Sequence, residues 1–288
     1  MTEPYEGAVQ CLSPAGLHTL RYAQWGDARN PRVLVCVHGL TRTGRDFDRL
    51  ARALAANYRV VCPDIAGRGR SDWLRDPACY QLSQYVADMV TLIGRLDVRR
   101  VAWLGTSMGG LIGIGLAGLA DSPIDKLILN DVGPHLELEG LLRIGAYVGN
   151  TMRFESLDAA VAHIRTIAAG FGMRDDAQWR EITESVLRPE GTGFVLHYDP
   201  AIGLPLRGLT AELAQAGEQV LWRLYDAIAC PTLLLRGANS DLLGADAAAQ
   251  MCARGPRPRL VTFAGVGHAP MFFDPEQIGA VREFLVSG

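Results

Sequence analysis

Ser107 stands at the centre of Gly105-Thr106-Ser107-Met108-Gly109, directly after the apolar run 101–104 and directly before a Gly/Leu/Ile-rich helical stretch. The order strand, sharp turn, helix lifts such a serine clear of a sheet, and the small residues on either side let the backbone fold tightly. The following helix aims its free N–H groups at the same spot, where they can hold a developing negative charge. A serine that merely caps a helix is the plainer reading, and the strand in front argues against it. A serine hydroxyl is a poor nucleophile at neutral pH and needs a base, itself oriented by a third group.

Of the six histidines, His268 suits the base best. It follows the last strand-like run on the Gly-rich loop Gly265-Val266-Gly267-His268, which can return an imidazole to the carboxyl edge of a sheet. His18 falls in an edge hairpin, and His163 and His197 fall in a helical region, while His135 is placed to line a pocket. Two aspartates follow strand-like runs: Asp241 in Asn239-Ser240-Asp241 and Asp131 in Asn130-Asp131-Val132. Asp241 is the preferred orienting acid, because a loop of several residues beyond the strand gives its carboxylate reach. Asp131 would then tie down the entrance to the region that follows.

Acyl transfer also needs donors for an oxyanion. The backbone N–H of Met108, just after the serine, is one, and the N–H of Leu40, in the sharp His38-Gly39-Leu40 turn, is the other. His38 is read as pinning that turn. His38, Arg42, Arg45, Asp131 and His135 are the candidate substrate-binding side chains, with solvent-facing arginines the plainer reading of Arg42 and Arg45.

The elements that must position these groups are legible as apolar runs at 33–37, 59–62, 101–104, 126–129, 232–235 and 260–263, with helical patterns between them. Near-continuous rather than alternating apolarity predicts parallel strands covered on both faces. Residues 8–12 and 17–25 meet at Ser13-Pro14-Ala15-Gly16 and predict an antiparallel edge hairpin. Leu82, Tyr85, Val86, Met89, Val90, Ile93 and Leu96 share one face of a helix. Between about 133 and 225 the strand signal vanishes and amphipathic helical patches replace it, predicting a helical cap inserted before the sheet resumes. The expected division is core over 1–133, cap over 134–226 and core again over 227–288.

A chain of 288 residues with 49% hydrophobic and 20% charged content folds around a large core, and a net charge of −3 argues against nucleic acid or anionic membrane as partner. The stretch Met1–Gly7 has neither cationic head nor apolar run, so no secretory signal and a cytoplasmic location are expected. The six cysteines lack CxxC spacing and have no histidine at ligand spacing beside them, which reads as buried apolar packing in a reducing compartment. Gly67-Arg68-Gly69 resembles part of a dinucleotide fingerprint, but Asp72 takes the place of the third glycine.

With His38-Gly39, the Asp64-to-Ser71 turn, the serine pentapeptide, Asp241 and Gly267-His268 in this order, the chain resembles the α/β-hydrolase superfamily over nearly its whole length. The resemblance implies an α/β fold: an eight-stranded, mostly parallel sheet flanked by helices, its second strand antiparallel, with a helical cap after the sixth strand. It also implies a serine hydrolase acting on a small-molecule carboxylic ester or lactone, carboxylesterase-like, without metal or organic cofactor. Relatives that cleave haloalkanes or epoxides carry aspartate where Ser107 stands. Carbon–carbon hydrolysis of ring-cleavage products, cofactor-free perhydrolysis and a small-molecule receptor role are the alternatives the same residues allow.

Overall fold

The computed structural model describes residues 3–287, so Met1 and Thr2 of the amino-terminal stretch lie outside the described residues. The first six strands are β1 (Tyr5–Ser13), β2 (Gly16–Trp25), β3 (Val33–Val37), β4 (Arg59–Asp64), β5 (Val101–Thr106) and β6 (Ile124–Asn130). The chain then leaves the sheet, forming β7 (Arg153–Phe154), β8 (Leu187–Glu190) and β9 (Gly193–Leu196), and returns as β10 (Thr232–Gly237) and β11 (Arg259–Phe263). The main sheet has eight strands in the order β1-β2-β4-β3-β5-β6-β10-β11. Only β2 runs against its neighbours, pairing antiparallel with both β1 and β4.

Strand periodicity explains why both faces are covered. Val33, Val35 and Val37 of β3 point into one apolar cluster and Leu34 and Cys36 into the other. Helices α2 (Leu82–Arg95) and α3 (Met108–Ala117) cover the first face, and α1 (Asp48–Leu54) and α10 (Pro275–Val286) the second. The α2 stripe of Tyr85, Met89, Leu92 and Ile93 is buried, each side chain contributing about 1.5–3 kcal/mol by leaving water.

The segment between β6 and β10 holds α4 (Leu138–Tyr147), α5 (Leu157–Ile167), α6 (Asp176–Glu184), α7 (Leu204–Arg207) and α8 (Ala211–Asp226), and α9 (Ala245–Ala253) follows β10. Two features differ from the expected all-helical cap. First, β7, β9 and β8 form a small antiparallel sheet of three strands. Its strands are too short and too exposed to show alternation, and one of them contains Pro189. Second, α8 packs on the main core: Trp222 and Tyr225 meet edge to face at 5.5 Å, and the Tyr225 hydroxyl donates to the Met251 carbonyl at 3.0 Å.

Polar ties fasten the rest of the segment to the core. Gly69 N–H donates to His197 O (2.8 Å), Asp199 N–H to Gly67 O (2.7 Å) and Gly267 N–H to Gly170 O (2.6 Å). The buried Tyr80 hydroxyl donates to Asp199 Oδ2 at 2.6 Å. Among the described residues no helix is long and apolar enough to cross a membrane.

Candidate active site

The turn after β5 is as tight as its glycines suggest. Ser107 has φ 52° and ψ −119°, a conformation that costs a non-glycine residue about 1–3 kcal/mol. A Cβ at Gly105 would sit 2.1 Å from the Gly109 carbonyl oxygen, and one at Gly109 would sit 2.1 Å from the Val37 carbonyl oxygen. Both contacts are with backbone, so only glycine fits at either place. The Ser107 N–H donates to Asn130 O at 3.0 Å, tying the turn to the end of β6.

The hydroxyl of Ser107 lies 2.9 Å from His268 Nε2, and His268 Nδ1 lies 2.7 Å from Asp131 Oδ2. The carboxylate only accepts, so Nδ1 carries the ring hydrogen and Nε2 is left to accept the serine hydroxyl proton. The acid beside the imidazole is therefore Asp131 and not Asp241. Strand register gives the reason: β5 and β6 are parallel neighbours with Thr106 opposite Asn130. Ser107 and Asp131 are each the next residue, on adjacent strands.

Asp241 is carried outward instead, half exposed, where Arg143 Nε donates to its Oδ2 at 2.7 Å. Its loop still serves the acid. Gly237 N–H donates to Asp131 Oδ1 (2.8 Å) and the Ser240 hydroxyl to Asp131 Oδ2 (2.6 Å). With His268, these donors compensate a carboxylate that has no solvent exposure. Asp131 itself has φ 56°, in the left-handed region that aspartate tolerates better than most residues.

The turn after β3 lies against the serine, with an ideal Cβ at Gly39 only 3.6 Å from Ser107 Cβ. His38 is fully buried; Nδ1–H donates to Gly39 O (2.7 Å) and Nε2 accepts from Ile65 N–H (3.0 Å). Burial pushes its pKa down to about 3, so the ring is neutral and structural rather than a substrate contact. Sequence reasoning missed Arg68, which is also fully buried. Its Nε donates to Leu40 O at 2.8 Å and its Nη1 to the Tyr85 hydroxyl at 2.8 Å, fixing the turn from below. In the sequence Arg68 falls within the Asp64-to-Ser71 turn, where a guanidinium flanked by glycines reads as exposed. Met108 opens α3, and its N–H is one of the helix's unpaired amino-terminal donors.

A small pocket joins these groups, walled by Leu40, Arg42, Ser107 and His268 from the core and by Arg143, Ile144, Tyr147 and Phe171 from the inserted segment. Arg42 is on this wall but committed: it donates twice to Asp46, and to Ile182 O and Ser185 Oγ. Arg45 faces elsewhere, donating to Asp48. His135 is also outside the pocket, paired with Glu218 of α8 at 2.9 Å. Away from the site, the hairpin register sets Cys11 opposite His18, and both meet Asp88 of α2, a proximity that cysteine spacing along the chain did not suggest. His18 Nε2 lies 3.1 Å from Asp88 Oδ2, Gln84 donates to the other oxygen at 2.7 Å, and burial pushes the Cys11 thiol up to about 12. The group is a buried polar network with a neutral thiol.

Comparison with known proteins bears on the family and the fold. Residues 34–281 match the model of the alpha/beta hydrolase family. The chain is 55% identical over 286 residues to the 3-hydroxybutyrate-oligomer hydrolase of Cupriavidus necator, covering 98% of each. It is 25% identical over 269 residues to the esterase YbfF of Escherichia coli, covering 89% of this chain and 94% of the other. The crystal structure of an alpha/beta hydrolase from Novosphingobium aromaticivorans superposes with a TM-score of 0.86 at 36% identity, covering 99% of each chain. This chain belongs to the alpha/beta hydrolase family and is a hydrolase of the carboxylesterase-like kind.

Proposed function

We propose that the chain hydrolyses the ester bonds of linear 3-hydroxybutyrate oligomers, with Ser107 as nucleophile, His268 as general base and acid, and Asp131 as the orienting acid. The observation that carries the chemistry is the continuous hydrogen-bond chain from Ser107 through His268 to the buried Asp131. The 55% identity to a 3-hydroxybutyrate-oligomer hydrolase supports the substrate. His268 Nε2 takes the serine proton as Oγ attacks the ester carbonyl, and the Leu40 and Met108 amides hold the oxyanion. The proton passes to the departing alkoxide. Water, activated by the same nitrogen, then attacks the acyl-enzyme and releases a carboxylic acid and free Ser107. Asp131 keeps Nδ1 protonated throughout and stabilises the imidazolium as it forms.

The substrate's short hydrocarbon units suit a pocket walled by Leu40, Ile144, Met271 and Phe171. The test is acid release from the linear 3-hydroxybutyrate dimer by wild type and Ser107→Ala. Wild type is expected to split the dimer, and the variant to lose at least about 10³-fold in kcat while keeping its fold. Wild type that turns over p-nitrophenyl butyrate but leaves the dimer intact would contradict the substrate. Full turnover by the variant would contradict the nucleophile.

A further inference from the structure

A linear 3-hydroxybutyrate oligomer has a single charged group, the carboxylate at one end, and the pocket around Ser107 has two cations on its wall, Arg42 and Arg143. Arg42 is buried, its donors spread over Asp46, Ile182 O and Ser185. Arg143 is different. It meets Asp241 through Nε, both side chains are partly in solvent, and its guanidinium lies beside the Tyr147 hydroxyl on the pocket wall. An exposed pair of this kind is weak, so a second carboxylate can share or replace Asp241 at little cost.

Arg143 and Tyr147 are four residues apart on α4, on the same helix face. The Tyr147 hydroxyl, raised by burial and held down by the Arg143 guanidinium beside it, stays protonated and is available as a donor. A guanidinium next to a phenol, in a pocket otherwise rich in apolar walls, is the chemistry that recognises a carboxylate.

We propose that Arg143 binds the terminal carboxylate of the oligomer, so that Ser107 attacks an ester near that end and the chain is shortened from its carboxyl terminus. Asp241, paired with the guanidinium through Nε, competes for it and limits affinity for acidic substrates. This assignment rests on the oligomer reading and makes Arg143 a specificity-determining residue, with no part in the bond-making steps.

The experiment compares the 3-hydroxybutyrate dimer as free acid and as its primary amide, with wild type, Arg143→Gln, Arg143→Lys and Asp241→Asn. Wild type is expected to prefer the acid in kcat/KM. In Arg143→Gln the acid-to-amide ratio is expected to fall about tenfold, mostly through KM for the acid, with partial recovery in Arg143→Lys. Asp241→Asn is expected to lower KM for the acid several-fold and to leave the amide's KM near its wild-type value. Equal treatment of acid and amide by wild type, or an equal loss on both in Arg143→Gln, overturns the assignment and leaves the oligomer reading standing. Hydrolysis of p-nitrophenyl butyrate with neither dimer touched overturns both.

Discussion

The imidazole of His38 is completely enclosed, and burial holds it at about 3 against an ordinary 6.5. The unfolded chain binds a proton at this ring as pH falls through about 6.5, whereas the folded chain resists until about 3. The ring's contribution to stability is therefore present above pH 6.5 and is lost as pH falls toward 3. Denaturant unfolding of wild type and His38→Gln across this range checks it: the stability difference between them should shrink on acidification. A difference independent of pH would contradict the neutral, buried ring. The Asp131 carboxylate is likewise enclosed, and Gly237, Ser240 and His268 all donate to it. That compensation is invisible in sequence, where both aspartates follow strands and the longer loop favours Asp241.

At the scale of elements, the elbow is held by close backbone approach. Gly105→Ala and Gly109→Ala both drive a methyl into carbonyl oxygens that cannot retreat without moving β3 or α3, and each should destabilise by about 1–3 kcal/mol or more and displace Ser107. Gly94 is the contrast. It lies exposed within α2 with nothing near its Cβ position, so Gly94→Ala should stabilise by about 0.5–1 kcal/mol. Denaturant midpoints check both directions, and a neutral Gly105→Ala would contradict the packing described. The main strands were legible because each is an apolar run covered on two faces. The strands β7 to β9 were not, being two to four residues long and half-exposed. The helix α8 has a clear apolar stripe, but periodicity cannot say that the stripe faces α3 rather than the inserted segment.

Across the whole molecule, the strand order decides the site. Because β6 lies next to β5, the first residue past β6 stands beside the first residue past β5, and β10 enters on the far side of β6. The loop after β10 then closes around Asp131 and turns Asp241 toward Arg143 and solvent. The alternation of strands and helices, the serine turn and the returning histidine are legible in sequence, since each is local. The choice of acid is not local: it depends on register between strands more than twenty residues apart, and on where a folded loop points. The most direct measurement is kcat for an ester substrate in Asp131→Asn beside Asp241→Asn, both with wild-type circular dichroism. Asp131→Asn is expected to lose about 10³–10⁴-fold, and Asp241→Asn to change within about tenfold. A collapse in Asp241→Asn with Asp131→Asn near wild type would contradict Asp131 as the orienting acid.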